Sequence, residues 1–358
     1  MQALASQFEH TIICVPFEKL AVDSVTSEYA LDNIEFIALP NVGGNSFKDK
    51  MKLIGAIPSW IRAFKNANSR SDIVYLRMPN NLNIPGFFYF KLKQAKTFAQ
   101  YTGTWKNYAT EPATYRFQKW LLKHFFKGPV WVYTDDNNLG KNIFKGTSPS
   151  YNLQEWNEET NQVKEKLGKL NNGRIEMPVF ISVGALVPNK NQQFILNAFK
   201  ILKEQKFIFK LYIVGDGFLK EQYEKFIDEN NLHDCVTLTG KKNFYELRNL
   251  YRESNFLIQA PFAEGFGKVP IEGFFHGVVP IISNTALADE MIGRNERGFK
   301  FNNDDIEMLI KIIREVTTNN NTISHMIVNG RAYAKEHTIE NWIEAYIKEI
   351  NYFFWVKK

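Results

Sequence analysis

The chain has 358 residues, 44% of them hydrophobic and 23% charged, with a formal net charge of +6; that length exceeds the usual single core and points to two domains. No apolar run approaches the roughly 18 residues that a membrane span needs, and MQALASQFEH has neither the basic start nor the long apolar core of a signal peptide. Only Cys14 and Cys235 are present, both in apolar runs that read as strands, which argues against a disulfide framework and for a reducing cytoplasm.

In chain order, apolar runs bounded by turn residues predict strands over 11–16, 34–39, 72–78, 97–101 and 130–133, and helical periodicity predicts helices over 48–67, 87–95 and 115–126. The charge is uneven: residues 1–150 hold 18 lysines and arginines against 11 carboxylates, while residues 151–358 hold 26 against 27. The basic character therefore belongs to the first half. Within it, the stretch 115–127 places Phe117, Trp120, Leu121 and Phe125 on one helical stripe, with Arg116, Lys119, Lys123 and Lys127 following another. Such a helix either packs its aromatics into the domain or lies on an anionic membrane surface, and both readings stand at this point.

The polar stretch 145–177, with Gly146, Pro149 and an Asn-Gly turn at Asn172–Gly173, reads as a connection. Domains are accordingly placed at 1–150 and 178–337, joined by 151–177. Strands follow over 179–183, 209–214, 235–239, 256–259, 278–282 and 298–301, most of them trailed by a helix, so both halves read as α/β with parallel sheets. A last helix within 338–358 carries Trp342, Tyr346, Ile347 and Ile350 on one face and reads as a core stripe.

The most informative stretch is EGFGKVPIE, residues 264–272, followed by GFFHGVVPIISN. It sets one carboxylate, Glu264, in a loop, frames a turn with Gly265 and Gly267, and places a second carboxylate, Glu272, inside the helix that follows. The glycines let the backbone approach a ligand, and the first amides of the helix face an anion. Glu264 and Glu272 are too far apart to share a proton, so they read as acceptors for different hydroxyls of a polyol. The spacing alone is uninformative, since Glu221/Glu229, Glu307/Glu315 and Glu336/Glu344 repeat it.

On these residues, and on SVGALVPNKNQQFILNAFKIL, LYIVGDGFLKEQYEKFI and VTLTGKKNFYELRNLYRESNFLIQAPFAEGFGKVPIEGFFHGVVPIIS in the expected order, the second half resembles the retaining glycosyltransferases of the GT-B fold, in particular family 4, glycosyl transferases group 1. The resemblance covers about residues 180–342. It implies two Rossmann-like parallel-sheet domains facing across a cleft, the second binding a nucleoside-diphosphate sugar. Family members open with a strand and a glycine-rich loop. Here MQALASQF resembles the end of the helix after that loop, so the first domain is expected to lack its opening strand, through truncation or rearrangement.

The resemblance also implies roles. Lys190 would neutralise the charge that develops on the leaving phosphate, and Glu264 would contact the transferred sugar. Glu272 would accept from the ribose hydroxyls, and the amides of Phe266 and Gly267 would meet the sugar or its phosphate. Gly184, Gly215 and Gly217, with Gly240 and Lys241, would frame the nucleotide, although plain turn geometry accounts equally for Gly215 and Gly217. Where the family usually carries an arginine after the first glycine, this chain has Ala185. Diphosphate binding is then expected to be weaker or to draw on Lys268.

Tyr101, Thr102 and Trp105 are the candidates for acceptor contact, in a region where relatives often place a histidine and this chain has none. The six histidines lack metal-ligand spacing, and neither cofactor nor metal is expected. No nucleic-acid recognition motif is legible. The implied activity is metal-independent transfer of a hexose-type sugar to a glycan or polyprenyl-linked acceptor in capsule or lipopolysaccharide synthesis, in the cytoplasm or at the inner face of the membrane. The alternatives are a GT-B nucleotide-sugar epimerase, or a nucleotide-sugar-binding protein that no longer turns over.

Overall fold

The computed structural model describes residues 2–17, 30–42, 47–108, 111–173, 175 and 177–356. It divides the chain into two units, Met1–Gly146 with Ile343–Lys358, and Thr147–Trp342. The first unit runs α1 (Gln2–Ala5), β1 (Thr11–Pro16), β2 (Ile34–Leu39), α2 (Phe47–Asn68), β3 (Val74–Met78), α3 (Asn83–Leu92), β4 (Thr97–Thr104), α4 (Ala113–His124), β5 (Val130–Tyr133) and β6 (Ile143–Lys145). Every strand pairing is parallel, in two sheets ordered β1-β2 and β3-β4-β5-β6.

Among the described residues these two sheets share no ladder. They nevertheless share one core: Cys14 and Leu39 from the first and Leu76, Met78, Ala99 and Val130 from the second belong to one apolar cluster with Trp60 and Phe64 of α2. Both sheets therefore cover one apolar core. The β5 run VWVY is buried along its whole length, as a parallel strand covered on both faces must be.

The second unit contains α5 (Leu153–Asn172), β7 (Val179–Val183), α6 (Gln192–Glu204), β8 (Lys210–Val214), α7 (Lys220–Glu229), β9 (Val236–Gly240), α8 (Phe244–Glu253), β10 (Phe256–Gln259), α9 (Lys268–Phe275), β11 (Val279–Ser283), α10 (Ala288–Ile292), β12 (Phe299–Phe301), α11 (Ile306–Val316) and α12 (Asn320–Glu336). A thirteenth helix, α13 (Ile339–Asn351), begins there and continues into the first unit, where Tyr346 stacks on Trp131 at 3.9 Å. The six parallel strands are ordered β12-β11-β10-β7-β8-β9. From β7 the chain builds outward through β8 and β9, then returns to the other side of β7 with β10. The order reverses between β7 and β10, and in open α/β sheets ligands bind at the carboxyl ends of the strands flanking that reversal.

One expected boundary is corrected. The stretch 151–177 is not an extended connection but mostly helix α5, packed into the second unit through buried Val163 and Leu170; residues 174 and 176 lie outside the described residues. The Asn152 side chain accepts from the Glu155 amide, and the Glu155 side chain accepts from the Asn152 amide, a reciprocal cap that fixes where the helix starts.

Candidate functional site

The loops after β7, β8 and β9 are laced side by side. The Gly184 amide donates to Val214 O at 2.9 Å, the Leu186 amide to Asp216 O at 2.9 Å and the Gly215 amide to Gly240 O at 3.0 Å. A Cβ on Gly215 would stand 1.9 Å from Gly184 O, and one on Gly217 would stand 2.5 Å from Leu186 O. These two glycines are therefore required by the close approach of neighbouring loops, a stronger constraint than a turn. At Gly240 the backbone itself is left-handed, with φ +70° and open space around the missing Cβ. Lys241 follows it, exposed.

Across the reversal, the loop after β7 is fastened to the loop after β10. Asn189 does this with both its backbone and its carboxamide: Asn189 O accepts from the Phe262 amide at 2.9 Å, Nδ2 donates to Ala263 O at 2.8 Å, and Oδ1 accepts from the Ala263 amide at 3.1 Å. The fastening sets Lys190, at the end of the short 3-10 turn Pro188–Lys190, against Glu264, and the two form a partly exposed ion pair. The stem of Lys190 runs over Gly184, where a Cβ would stand 3.6 Å from its Cδ and Cε. The cation and the first carboxylate singled out in the sequence thus occupy one spot.

Gly267 precedes α9 with φ +74°. Phe266 is buried, with its ring 5.8 Å from that of His337, while Lys268 at the first helical position is exposed. The amides of Lys268 and Val269 have no earlier turn to bond, and the positive end of the helix axis lies there. Pro270 as third residue has no donor to contribute.

One turn further on, Glu272 is held by two hydroxyls. Ser150 Oγ donates to Oε1 at 2.7 Å, and Tyr251 OH donates to Oε2 at 3.1 Å. Burial, together with the Glu272 charge, pushes the Tyr251 phenol well above its ordinary value, so it keeps its proton and remains a donor. Each carboxylate oxygen offers about two acceptor directions; one donor on each leaves one direction on each for the neighbouring hydroxyls of a polyol.

Behind Tyr251 the support continues. Its ring stacks on His276 at 5.3 Å, and His276 Nδ1 lies 2.8 Å from Glu159 Oε1 while Nε2 lies 2.9 Å from Tyr151 OH. Burial pushes His276 down to about 4 against the pull of Glu159, so the ring is neutral, with Nδ1–H donating to Glu159 and Nε2 accepting from Tyr151. For Glu159, burial alone would raise the carboxyl, but hydrogen bonds from His276, Arg252 and Arg248 override it and hold the carboxyl well below its ordinary range. Lys166 donates to Tyr251 O, Ser254 O and His276 O, tying the ends of α8 and α9 together.

Sequence reasoning brought Lys190, Glu264, Gly267 and Glu272 to the same sheet end but missed Asn189, Ser150 and Tyr251. Asn189 directly precedes Lys190. Ser150 and Tyr251 are 122 and 21 positions from Glu272, with no local signal linking them. In the first unit, Tyr101 and Trp105 are corrected: β4 extends to Thr104, and both rings are buried in the core with centroids 5.4 Å apart. The Thr102 hydroxyl donates to Met78 O at 3.1 Å. Direct acceptor contact does not extend to the two buried rings. Among the described residues no group of three His, Cys, Asp or Glu side chains is placed to hold a metal ion.

Residues 165–333 match the family model of the glycosyl transferases group 1. The chain is 29% identical over 161 residues, 45% of its length and 44% of the relative's, to an uncharacterized glycosyltransferase of Methanocaldococcus jannaschii. It is 26% identical over 195 residues, 52% of its length and 48% of the relative's, to the capsular polysaccharide biosynthesis glycosyltransferase CapM of Staphylococcus aureus. The matched stretches span about half the length of these relatives. In fold, the chain is similar to HepE of Anabaena, crystallised with UDP and glucose, with a TM-score of 0.72 at 14% identity over 97% of this chain and 93% of that one. The site at the reversal of the second sheet therefore lies within the stretch that matches the glycosyl transferases group 1, in a chain of GT-B fold.

Proposed function

We propose that this chain transfers a hexose-type sugar, with retention of anomeric configuration and without a metal, from a nucleoside diphosphate to a glycan or polyprenyl-linked acceptor during synthesis of a cell-surface polysaccharide. The observation that carries the reading is the convergence of Lys190, Glu264, the start of α9 and Glu272 at the carboxyl ends of β7 and β10. The bond between the anomeric carbon and the diphosphate breaks, and negative charge grows on the leaving phosphate. Lys190 and the first amides of α9 are the groups that would meet it. Glu264 then takes hydroxyls of the sugar and Glu272 those of the ribose. Retention is carried over from the family resemblance. The capsular relative and the UDP-bound neighbour support the polysaccharide and nucleotide parts of the reading. Work at the inner face of a membrane, through residues 115–127, belongs to the same proposal.

Ala185 favours a second reading, a nucleotide-sugar site that binds without turning over. Thermal stabilisation, followed by calorimetry, with a panel of UDP-, GDP- and ADP-sugars and with Glu272→Ala and Lys190→Ala beside the wild type, tests the donor site. A selective rise in Tm that both variants lose is the expected result; no rise with any donor from a folded chain rejects it. Detection of sugar transfer then separates turnover from binding, and conversion of the donor sugar without acceptor would mark an epimerase.

A further inference from the structure

Helix α4 does not bury its aromatics. Its inner face is Gln118, Lys119, Leu121 and Leu122, while Phe117, Trp120 and, just past its end, Phe125 remain at the surface. The three rings form a chain: Trp120 lies 5.8 Å from Phe117 and 4.8 Å from Phe125. Lys91 of α3 reaches over the Phe125 ring at 4.7 Å. Phe88 and Leu92, four residues apart and so on one side of α3, also stand out of the surface, with Lys91 three residues after Phe88. These five apolar side chains are 37–81% exposed. Single exposed apolar residues are ordinary, whereas a joined patch across two helices marks a surface that is covered in use.

The charge around the patch says by what. Between residues 73 and 134 the chain has nine lysines and arginines and one carboxylate, Glu111, and that carboxylate is buried against Lys119. Lys91, Lys93, Arg116, Lys123 and Lys127 are exposed, and no acidic side chain of this stretch offsets them. Aromatic rings set among unopposed lysines fit the boundary of an anionic bilayer: the ammonium groups meet lipid phosphates while the rings enter the headgroup layer. No helix among the described residues is long and apolar enough to cross a membrane.

We propose that α3 and α4 together form a docking face for anionic lipid, built from Phe88, Leu92, Phe117, Trp120 and Phe125 and their surrounding lysines. This deepens the membrane part of the function proposed above, and it is tested without reference to sugar transfer, so either can fail alone. The full chain is sedimented with vesicles of phosphatidylcholine alone and of phosphatidylcholine mixed with phosphatidylglycerol. Wild type is compared with Trp120→Ser, with the pair Phe88→Ser and Leu92→Ser, and with the pair Lys123→Ala and Lys127→Ala, each first shown to melt as the wild type does.

Wild type is expected to bind only the mixed vesicles, less at higher salt, with about a fivefold loss for each lysine removed and a loss at least that large in both apolar variants. If the α3 pair binds as wild type, the two-helix face is wrong. Failure of wild type to sediment at low ionic strength rejects the lipid assignment. So does self-association in sedimentation velocity that the same substitutions abolish, since the face would then be covered by a second copy of the chain.

Discussion

Glu272 draws its precision from two hydroxyls, Ser150 and Tyr251, rather than from its own helix. If the ribose lies on Glu272, Tyr251→Phe and Ser150→Ala should each weaken nucleoside-diphosphate binding about tenfold, on the order of 1.5 kcal/mol for a hydrogen bond to a charged group. The discriminating readout is the ratio of affinities for UDP and its 2′,3′-dideoxy analogue, by calorimetric titration. The variants should shrink that ratio and leave the analogue's affinity unchanged; a uniform loss on both ligands would mean only damage to the fold. Behind Tyr251, His276 sets a pH dependence. Its folded value of about 4 lies below the ordinary 6.5, so between these values the unfolded chain takes up a proton that the native one refuses. Stability should fall as pH drops through that window, by up to about 3 kcal/mol. Glu159 extends the loss below about pH 4.5, because its depressed carboxyl contributes stability only while ionised. Urea midpoints across this range check the sign, and His276→Gln should flatten the upper part of the slope. The residue types of the site were legible because a loop carboxylate, a glycine turn and a helix carboxylate lie in one short stretch; their holders were not, because the sheet brings them from remote positions.

At the scale of elements, the lacing of the loops after β7, β8 and β9 explains why glycine recurs there. Gly215→Ala would drive a Cβ into Gly184 O, and the loop that carries Lys190 would have to shift. We expect a loss of about 3 kcal/mol, read from denaturant midpoints, together with weakened donor binding. A variant of unchanged stability would show the lacing to be slack. Elements with continuous apolar runs, such as β5 and β11, stood out in the sequence because both faces are buried. Helix α5 did not. Its apolar residues Trp156, Val163, Leu167 and Leu170 are sparse among polar ones, and Gly168 and the Asn171–Asn172 pair mimic a loop; the reciprocal cap of Asn152 and Glu155 was the signal that could have found it. For α4 the stripe was legible only in part: Leu121, grouped with Phe117, Trp120 and Phe125, and Lys119, grouped with the other cations, both turn inward while the three rings stay outside.

At the scale of the molecule, the charge asymmetry between the halves is the sequence feature that the structure localises best, to the exposed side chains of α3 and α4. Two parallel-sheet units were also legible, because strands alternate with helices through both halves. The division into units has a consequence for how the protein is watched. Of seven tryptophans, Trp60, Trp105, Trp120, Trp131 and Trp355 lie in the first unit and only Trp156 and Trp342 in the second. A ligand stabilises the part it binds, and the candidate site belongs to the second unit. Intrinsic fluorescence would therefore follow mainly the unit that lacks the site and miss a genuine donor, whereas calorimetry would register it; an optical melt of this chain can stay still while the nucleotide is bound.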